Sequence, residues 1–554
     1  MSPSIFEKVF TIYQNKKGYL DVARFTQALA DYGLLKCDPR LATMMKKLSM
    51  IQRSTKLRIE DGFGITFDVF NDEMLGEKET KALIEKAFSS GLIIPDFKSF
   101  CETVTQVYYD CEDVHGGANA SYIPQLANVD SDIFALSVCT VDGQRFTHGD
   151  KDHIYTLQST SKPFNYAVAL DLYGAEYVNK YIGQEPSGAI FNEICLNGDT
   201  MPHNPMINAG AIMASSLIRP ELKLAERYDF INNIYRQLSG GLYVGFNNAV
   251  YLSERDCADR NFALANYMQD YKCFPENTDL ISSLEFYFQL CSIETKPEAH
   301  AVMAATLANG GKCPITNEQV LNPESVKHTL SLMLSCGMYD YSGQFAFKIG
   351  LPAKSGVSGA IMLVVPNVMG MVIYSPPLDE CGNSYRGIVY CEKLLEIFNF
   401  HQFDSTANMS TKIDPRRHMI ESTEADIMNM LMNASKGDVK AIKMAFLKGH
   451  DMDASDYDQR SALHIGMFFF NFKSELNVFV SAASEGHLTV VRFLVENARV
   501  QLNQPDRWDR TPLGDARQFE HVKVVNYLEA KLEAASKRRP LVAIENKVQQ
   551  ITLG

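Results

Sequence analysis

The sequence lacks the patterns that mark secreted, membrane-spanning and nucleic-acid-binding proteins. Its 12 cysteines include no Cys-x-x-Cys pair, which disfavours a zinc or disulfide framework and fits a reducing compartment. The longest apolar stretch, 359–374, is interrupted by Pro366 and Asn367. It is therefore too short to span a bilayer and predicts buried strands. A net charge of −13 disfavours binding of nucleic acid by the bulk of the chain.

The first residues show neither a signal peptide nor an Arg-rich transit segment. What the chain does have is length and an ordinary globular composition. Its 554 residues are 46% apolar and 21% charged. This combination predicts three or four soluble domains, at least one of them with a sizeable hydrophobic core.

The most informative motif is Ser-x-x-Lys at Ser159 and Lys162, at the start of a predicted helix over 159–172. Residues three apart lie on one helix face with a rise of about 4.5 Å. A serine becomes nucleophilic when a base removes its proton, and a desolvated lysine can be that base. The pair therefore points to acyl transfer, although a Ser and a Lys at this spacing also occur on exposed helix faces.

Two predicted hairpins support the acyl-transfer interpretation. Residues 133–141 and 144–147 flank an Asp-Gly turn, and a strand-like run over 352–365 precedes a second apolar run at 368–374. The later hairpin begins with Lys354-Ser355-Gly356. Ser-x-x-Lys followed by Lys-Ser/Thr-Gly is the signature pair of the serine β-lactamase-like fold. The usual middle motif, Ser-Asp-Asn, is absent, which argues against a β-lactamase itself.

The chain divides into segments of different character. The first is rich in helical patterning, the second is a dense α/β (α+β) region, and the C-terminal part carries repeat motifs. Within the first, 68–76 lacks the residue order of a calcium loop. The predicted segments are a helical, EF-hand-like, non-calcium regulatory domain (1–115), a β-lactamase-like catalytic core (120–405), a linker (406–423), all-α ankyrin repeats (424–532) and a disordered tail (533–554).

The ankyrin prediction depends on two repeat starts, 461–465 and 511–516, and on a second-helix motif at 486–494. The starts lie 50 positions apart, well above the usual period of about 33. Removing 466–481, which contains five phenylalanines, restores a spacing of 34 by the subtraction 50 − 16. We interpret 466–481 as an insertion, either a real loop or an unspliced segment, which the mRNA sequence would distinguish.

Several separated blocks together resemble the eukaryotic glutaminases of the kidney/liver type, a serine-dependent β-lactamase-like family with C-terminal ankyrin repeats. The resemblance covers nearly the whole chain. The blocks are Tyr122–Ala127, Gln158–Pro163, Pro202–Gly210, Ser253–Arg255 with Asp259–Ala263, Phe286–Ser292 and Cys336–Asp340. The resemblance implies hydrolysis of L-glutamine to L-glutamate and ammonia, with no metal and no organic cofactor.

The resemblance also implies catalytic roles at the matching positions. Ser159 is expected to be the nucleophile and Lys162 its base, shared with Tyr287. Tyr339 is expected to protonate the leaving ammonia. The N–H groups of Ser159 and Val357 are expected to hold the oxyanion.

The remaining implied residues bind substrate. Glu254 is expected to hold the α-ammonium by a charge-assisted hydrogen bond. Asn208, Asn261, Tyr122 and Gln158 are expected to fix the α-carboxylate and the amide. By the same resemblance, the catalytic side of the substrate site is expected to be formed by Ser159, Tyr287, Tyr339 and Val357.

The chain departs from its mammalian relatives in the loop before the Asn208 motif. Glu193 stands where they carry lysine and Cys195 where they carry phenylalanine. An acid there repels an anion, and a smaller side chain loses apolar contact. This departure puts activation by phosphate and filament formation in doubt, whereas a dimer or tetramer remains the expectation by resemblance.

Two other functions stay open at this level. The core could act on another acyl substrate, such as a β-lactam or an ester, or the chain could be a non-catalytic ankyrin scaffold. The ankyrin repeats predict a protein partner in either case. The resemblance implies the mitochondrial matrix, but since no transit segment is visible, the cytosol is the alternative.

Overall fold

The computed structural model describes residues 4–54, 63–188, 193–404, 412–416, 423–447, 450–455, 461–465 and 487–534. The described residues divide into two compact units, one lying within the ranges 1–26, 46–91 and 417–554 and the other within 27–45 and 92–416. Among the described helices, none combines the length and the hydropathy that a membrane span requires.

The N-terminal segment is helical, as its sequence pattern predicts. The first helix starts at a capping box, in which Ser4 and Glu7 satisfy each other's backbone N–H groups, and it buries Phe6, Val9 and Ile12 along one face. The elements are α1 (Ile5–Tyr13), β1 (Leu20–Asp21), α2 (Val22–Asp31), α3 (Ala42–Ser54), β2 (Gly64–Ile65), α4 (Lys78–Phe88) and α5 (Phe97–Glu112).

The second unit is built on a five-stranded antiparallel sheet with the order β4-β3-β10-β9-β8. Both predicted hairpins are present in it. The strands of the sheet are β3 (Ala135–Thr140), β4 (Arg145–Gly149), β8 (Ala353–Ser355), β9 (Ala360–Val365) and β10 (Met369–Tyr374). A smaller sheet with the order β5-β7-β6 contains β5 (Tyr155–Thr156), β6 (Val244–Phe246) and β7 (Ile293–Thr295).

One strand prediction needs correction. The run 352–365 is not continuous, because a turn at 356–359 separates β8 from β9. Gly356 N–H bonds to Ala360 O, and Gly359 N–H bonds to Gly356 O. Gly359 has a φ of +97°, a backbone region open mainly to glycine. The apolar periodicity therefore continues through a turn whose position is set by its glycines.

Helices cover both faces of the sheet, and the side chains of β10 alternate between them. Met371 and Ile373 pack with α5 and α17 in one cluster, while Val372 and Tyr374 pack with α14 in another. This burial on both sides explains the nearly continuous apolar strands. The helices of this unit are α6 (Pro124–Ala127), α7 (Lys162–Tyr173), α8 (Ala175–Val178), α9 (Asn208–Leu217), α10 (Leu224–Leu238), α11 (Asn248–Asp256), α12 (Asp259–Asp270), α13 (Leu280–Cys291), α14 (Pro297–Ala308), α15 (Pro323–Cys336), α16 (Ser342–Lys348) and α17 (Tyr385–Ile397).

The helix predicted over 159–172 starts later than expected. A 3₁₀ turn, Gln158–Ser161, comes first, and α7 begins at Lys162. Pro163 explains the boundary, because proline is tolerated in the first turn of an α-helix and not in its interior. Ser159 and Lys162 therefore lie on consecutive elements.

The described C-terminal part is all-α. Its helices are α18 (Thr423–Ser435), α19 (Val439–Leu447), α20 (Ala462–Ile465), α21 (Leu488–Phe493), α22 (Pro512–Gln518) and a further helix over 522–534. The predicted insertion 466–481 and the tail from 535 onward lie outside the described residues, as do 405–411 and 417–422 of the linker region. Within that region, Ile413 forms a parallel bridge with Phe398. The predicted segment boundaries stay predictions.

Candidate active site

Ser159 lies in a tightly held turn at the N-terminal end of α7. The hydroxyl of Thr160 donates to Leu157 O and that of Ser161 donates to Gln158 O, each at 2.7 Å. Gln158 has a φ of +49°, which is uncommon for a residue with a side chain and often marks a functional turn. Ser159 itself is half-buried, so its hydroxyl is fixed and remains accessible.

Lys162 is 1% exposed, and its Nζ donates to Oδ1 of Asn208 at 2.7 Å. Nδ2 of Asn208 donates in turn to Oδ1 of Asn261 at 3.1 Å. Burial lowers the pKa of Lys162 to about 8, because desolvation disfavours the ammonium form. Neutral hydrogen-bond partners thus hold a lysine that can lose its proton near neutral pH.

Tyr339 contacts the serine directly, since its hydroxyl is hydrogen-bonded with the Ser159 side chain. The same hydroxyl donates to Ser355 O at 3.2 Å. Burial raises the pKa of Tyr339 to about 12, against the opposing effect of the Ser159 hydrogen bond. The phenol therefore keeps its proton at neutral pH and can donate it. Its φ of +52° is the second left-handed backbone in the site.

Tyr287 is held by a residue that the sequence reasoning did not single out. Its hydroxyl is hydrogen-bonded with the thiol of Cys291, one turn later on α13. Burial raises the pKa of Tyr287 well above its usual value, and the nearby Cys291 and Glu254 add to the effect. The i, i+4 spacing on a helix was the sequence signal that could have indicated this pair.

Glu254 forms the anionic side of the site. The hydroxyl of Tyr122 donates to its Oε1 at 2.6 Å, and the Gln158 side chain also bonds to it. Burial raises the pKa of Glu254, while these hydrogen bonds and the Lys162 charge oppose the rise. A carboxylate with this environment can bind an ammonium group, since such a group would complete its neutralisation.

Two backbone N–H groups complete the arrangement. Among the described residues, neither Ser159 N–H nor Val357 N–H has an acceptor. The turn before Val357 lies against the turn of Ser159, because a Cβ added at Gly356 would stand 3.0 Å from Leu157 O and 3.1 Å from Thr160 Cγ2. Two unpaired donors on adjacent turns can together stabilise a developing oxyanion.

Lys354 is a buried cation behind Tyr339. It is 0% exposed, its Nζ donates to Ser355 O at 2.8 Å, and it lies 4.4 Å from the centroid of the Tyr339 ring. Burial lowers its pKa well below the usual value, and the Lys162 charge adds to the effect. Lys354 and Tyr339 thus share one carbonyl acceptor.

The predicted site residues form three connected groups. Lys162 joins Asn208 and Asn261, and Ser159 joins Tyr339. The third group, around Glu254, joins Tyr122 and Gln158 and lies close to Tyr287, while Val357 reaches the site through the turn at Gly356. A half-buried serine, a lysine that can lose its proton and a protonated tyrosine are together suited to acyl transfer, the chemistry of amide- and ester-hydrolysing enzymes.

Comparisons with known proteins give the family. The sequence profile of Glutaminase matches residues 117–403, an EF-hand domain profile matches 5–95, and an ankyrin-repeat profile matches 479–529. The rat protein named glutaminase liver isoform, mitochondrial, is 44% identical over 530 residues, covering 96% of this chain and 84% of that protein. Putative glutaminase 2 of Caenorhabditis elegans is 42% identical over 541 residues, covering 96% and 86%.

Solved structures agree with these matches. A protein described as a probable glutaminase is 36% identical with a TM-score of 0.52, covering 55% of this chain and 97% of that one. Mglu in its tris and glutamate form is 35% identical with a TM-score of 0.52, covering 55% and 67%. The chain belongs to the glutaminase family of amidohydrolases. The predicted architecture of helical N-terminal region, β-lactamase-like core and ankyrin repeats is confirmed.

Proposed function

We propose that this chain hydrolyses L-glutamine to L-glutamate and ammonia through an acyl-enzyme on Ser159. The hydrogen bond between Ser159 and Tyr339, beside a buried Lys162 whose pKa is about 8, carries the proposal. It supports the assignment of a nucleophile, an acid and a base to one site. The neighbouring Glu254 favours an amino-acid substrate over a β-lactam or a simple ester.

In acylation, Oγ of Ser159 bonds to the side-chain amide carbon of glutamine as its proton passes to neutral Lys162. The N–H groups of Ser159 and Val357 stabilise the oxyanion; loss of one such donor costs about 3–4 kcal/mol. The carbon–nitrogen bond then breaks as Tyr339 gives its proton to the leaving nitrogen, and the Lys162 ammonium returns a proton to the phenolate.

Deacylation reverses the roles with water as nucleophile. Lys162 accepts the proton of the attacking water, the tetrahedral intermediate collapses, and Ser159 leaves as a hydroxyl after regaining a proton. Tyr287, held by Cys291, supports the proton exchange at Lys162. The cycle needs no metal and no organic cofactor.

Substrate orientation depends on the zwitterionic end of glutamine. Glu254 binds the α-ammonium, while Asn208, Asn261, Tyr122 and Gln158 fix the α-carboxylate and the amide. The relative Mglu was solved in a form with glutamate, which supports a glutamate-sized site at the matching part of this chain.

The experiment is release of glutamate and ammonia from L-glutamine by the purified chain and by Ser159→Ala. Loss of a nucleophile of this type typically lowers kcat by at least about 10⁴-fold. Ser331→Ala, an exposed serine on α15, is the matched control and should keep full activity. Turnover of L-glutamine that survives in Ser159→Ala would overturn the mechanism, and turnover of a β-lactam or ester in preference to glutamine would overturn the substrate.

We further propose an assembly of dimers or tetramers with phosphate as activator and a mitochondrial location. The rat and mouse relatives are named mitochondrial, which supports the location.

Glu193 lines a cleft of about 580 Å³ together with Tyr339, so its carboxylate disfavours an anion there. We therefore expect a weaker phosphate response than in Glu193→Lys. Light scattering and a phosphate titration of both proteins test the assembly and the activation, and fractionation of cells distinguishes matrix from cytosol.

A further inference from the structure

A cleft in the first unit, far in sequence from the catalytic motifs, gathers cations. Its volume is about 490 Å³, and its lining includes Lys16 after α1, Arg24 on α2, Lys443 on α19 and Arg492 on α21. We name these four residues the basic cleft. The whole chain carries a net charge of −13, so this concentration of positive charge is a local exception.

Among the described residues, none of the four cations forms a salt bridge, although Arg492 lies close enough to Glu496 to help lower the pKa of that carboxyl. Lys443 instead lies 5.8 Å from the centroid of the Phe493 ring, and Arg492 lies 5.5 Å from that of Tyr527. Aromatic faces hold these two side chains in place without forming a salt bridge. Lys443 and Arg492 are therefore oriented by rings, which leaves them able to bind an anion.

The acid that does line the cleft is already engaged. Oε1 of Glu496 accepts from Lys531 Nζ at 3.1 Å and from the Tyr527 hydroxyl at 2.9 Å. Its hydrogen bonds thus go to residues outside the cation group, although the nearby charge of Arg492 also helps to lower the pKa of Glu496. The amides of Gln14 and Asn497, which also line the cleft, add further hydrogen-bond donors.

The positive charges of the cleft also repel one another. Burial and the charge of Arg24 both lower the pKa of Lys443, which means that the cleft holds like charges close together at an energetic cost. An anion between them would remove this cost, and cationic clefts concentrate anions from solution. Arginine in particular matches the paired oxygens of a phosphate.

We propose that the basic cleft binds a phosphate-class anion. The volume falls in the range of small-molecule sites, about 300–1,000 Å³, so it accepts a phosphate monoester as well as inorganic phosphate. The anion would join α2 to α19 and α21 and thereby stabilise the first unit. This site is separate from the catalytic residues, and the proposal does not depend on the proposed function.

Hydrogen exchange of the full chain, followed by mass spectrometry, tests the proposal locally. The probes are inorganic phosphate and glycerol 3-phosphate, each compared with sodium chloride at the same ionic strength. Peptides from α19 and α21 should exchange more slowly with a phosphate probe than with chloride. A lower half-saturating concentration for one of the two probes identifies it as the preferred source of the anion.

Variants make the test specific. Lys443→Gln and Arg24→Gln should raise the half-saturating concentration at least tenfold, whereas Lys440→Gln, an exposed neighbour on α19 that does not line the cleft, should not. Equal protection by chloride, protection unchanged in both cleft variants, or no protection by either probe would each overturn the proposal. Since the readout is exchange at α19 and α21, anion binding at the catalytic site does not interfere.

Discussion

Nζ of Lys162 lies 2.7 Å from Oδ1 of Asn208, so an amide rather than a carboxylate faces the buried lysine. A carboxylate at this distance would favour the ammonium form and raise the pKa of the lysine, typically by about 1–3 units. Burial lowers the pKa of the lysine, and the neutral partner leaves that effect in place, so the lysine stays available as a base near neutral pH.

Asn208→Asp tests this relationship. The new carboxylate should raise the pKa of Lys162 above about 8, so the rising limb of kcat/KM against pH should move to higher pH by about one unit or more. Activity at pH 7 should fall at least about tenfold and recover partly as the pH rises. An Asn208→Ala variant loses the hydrogen bond without adding charge. If the rising part of the kcat/KM profile moved to higher pH by the same amount in both variants, the electrostatic explanation would be contradicted.

Lys162→Met should abolish activity and stabilise the protein at pH 7. The pKa of Lys162 is lowered in the fold from 10.5 to about 8, so the unfolded chain binds its proton more tightly and stability rises with pH between these values. Removing the charge relieves a cost of about 3 kcal/mol, less about 1 kcal/mol for the lost Asn208 hydrogen bond. Calorimetry at pH 7 and pH 10 should show an advantage for the variant that shrinks at the higher pH.

Glu254→Gln should raise KM more than it lowers kcat. A hydrogen bond to a charged group contributes about 1.5–3 kcal/mol, which corresponds to a loss of about 10- to 100-fold in kcat/KM. Tyr122→Phe removes one donor to the same carboxylate and keeps its charge, so its effect should be smaller. Steady-state kinetics with L-glutamine measure both, and a Tyr122→Phe effect larger than that of Glu254→Gln would argue against the ammonium contact.

Tyr339→Phe should separate the leaving-group role from binding. With L-glutamine, kcat should fall about 10²- to 10⁴-fold, the usual contribution of a general acid. A γ-glutamyl p-nitrophenyl ester needs no protonation of its leaving group, so the same variant should hydrolyse it with a much smaller loss. An equal loss on both substrates would assign Tyr339 to another role.

Gly370→Ala should destabilise the second unit without touching the site. A Cβ at this position would enter the backbone of α14 at Ala304 and Ala305, so the helix must shift away from β10 at a cost of about 1–3 kcal/mol. Gly343→Ala is the control, because open space surrounds that position. Thermal unfolding compares the two, and equal midpoints would show that α14 can shift freely.

The sequence predicted the motif residues better than the turns that connect them. Ser159 and Lys162 could be paired from spacing alone, and the hairpins followed from alternation and turn residues. The 3₁₀ turn before α7 and the break at 356–359 are set by Pro163 and by glycines, whose effect is local and does not change the apolar periodicity. Both departures lie where the chain bends into the site.

Contacts between residues far apart in the sequence could not be predicted from local motifs. Lys354 at the ring of Tyr339 could be placed in the Lys-Ser-Gly motif, yet its burial and its shared acceptor Ser355 O depend on how β8 packs against the turn of Ser159. Cys291 lies in the block Phe286–Ser292 but was not singled out there, and its hydrogen bond with Tyr287 became visible only in the structure. The roles assigned by family resemblance stay predictions until the variants are measured.

The left-handed backbone at Gln158 and Tyr339 links catalysis to the completion of folding. Neither segment favours that conformation by itself, so each depends on contacts made elsewhere in the second unit: Gln158 with Glu254, and Tyr339 with Ser159 and Ser355 O. A folding intermediate in which the sheet has formed but these contacts have not would consequently be inactive. During refolding, enzymatic activity should therefore return later than the secondary structure that far-UV circular dichroism measures. The delay between the two signals would report the time at which the site forms.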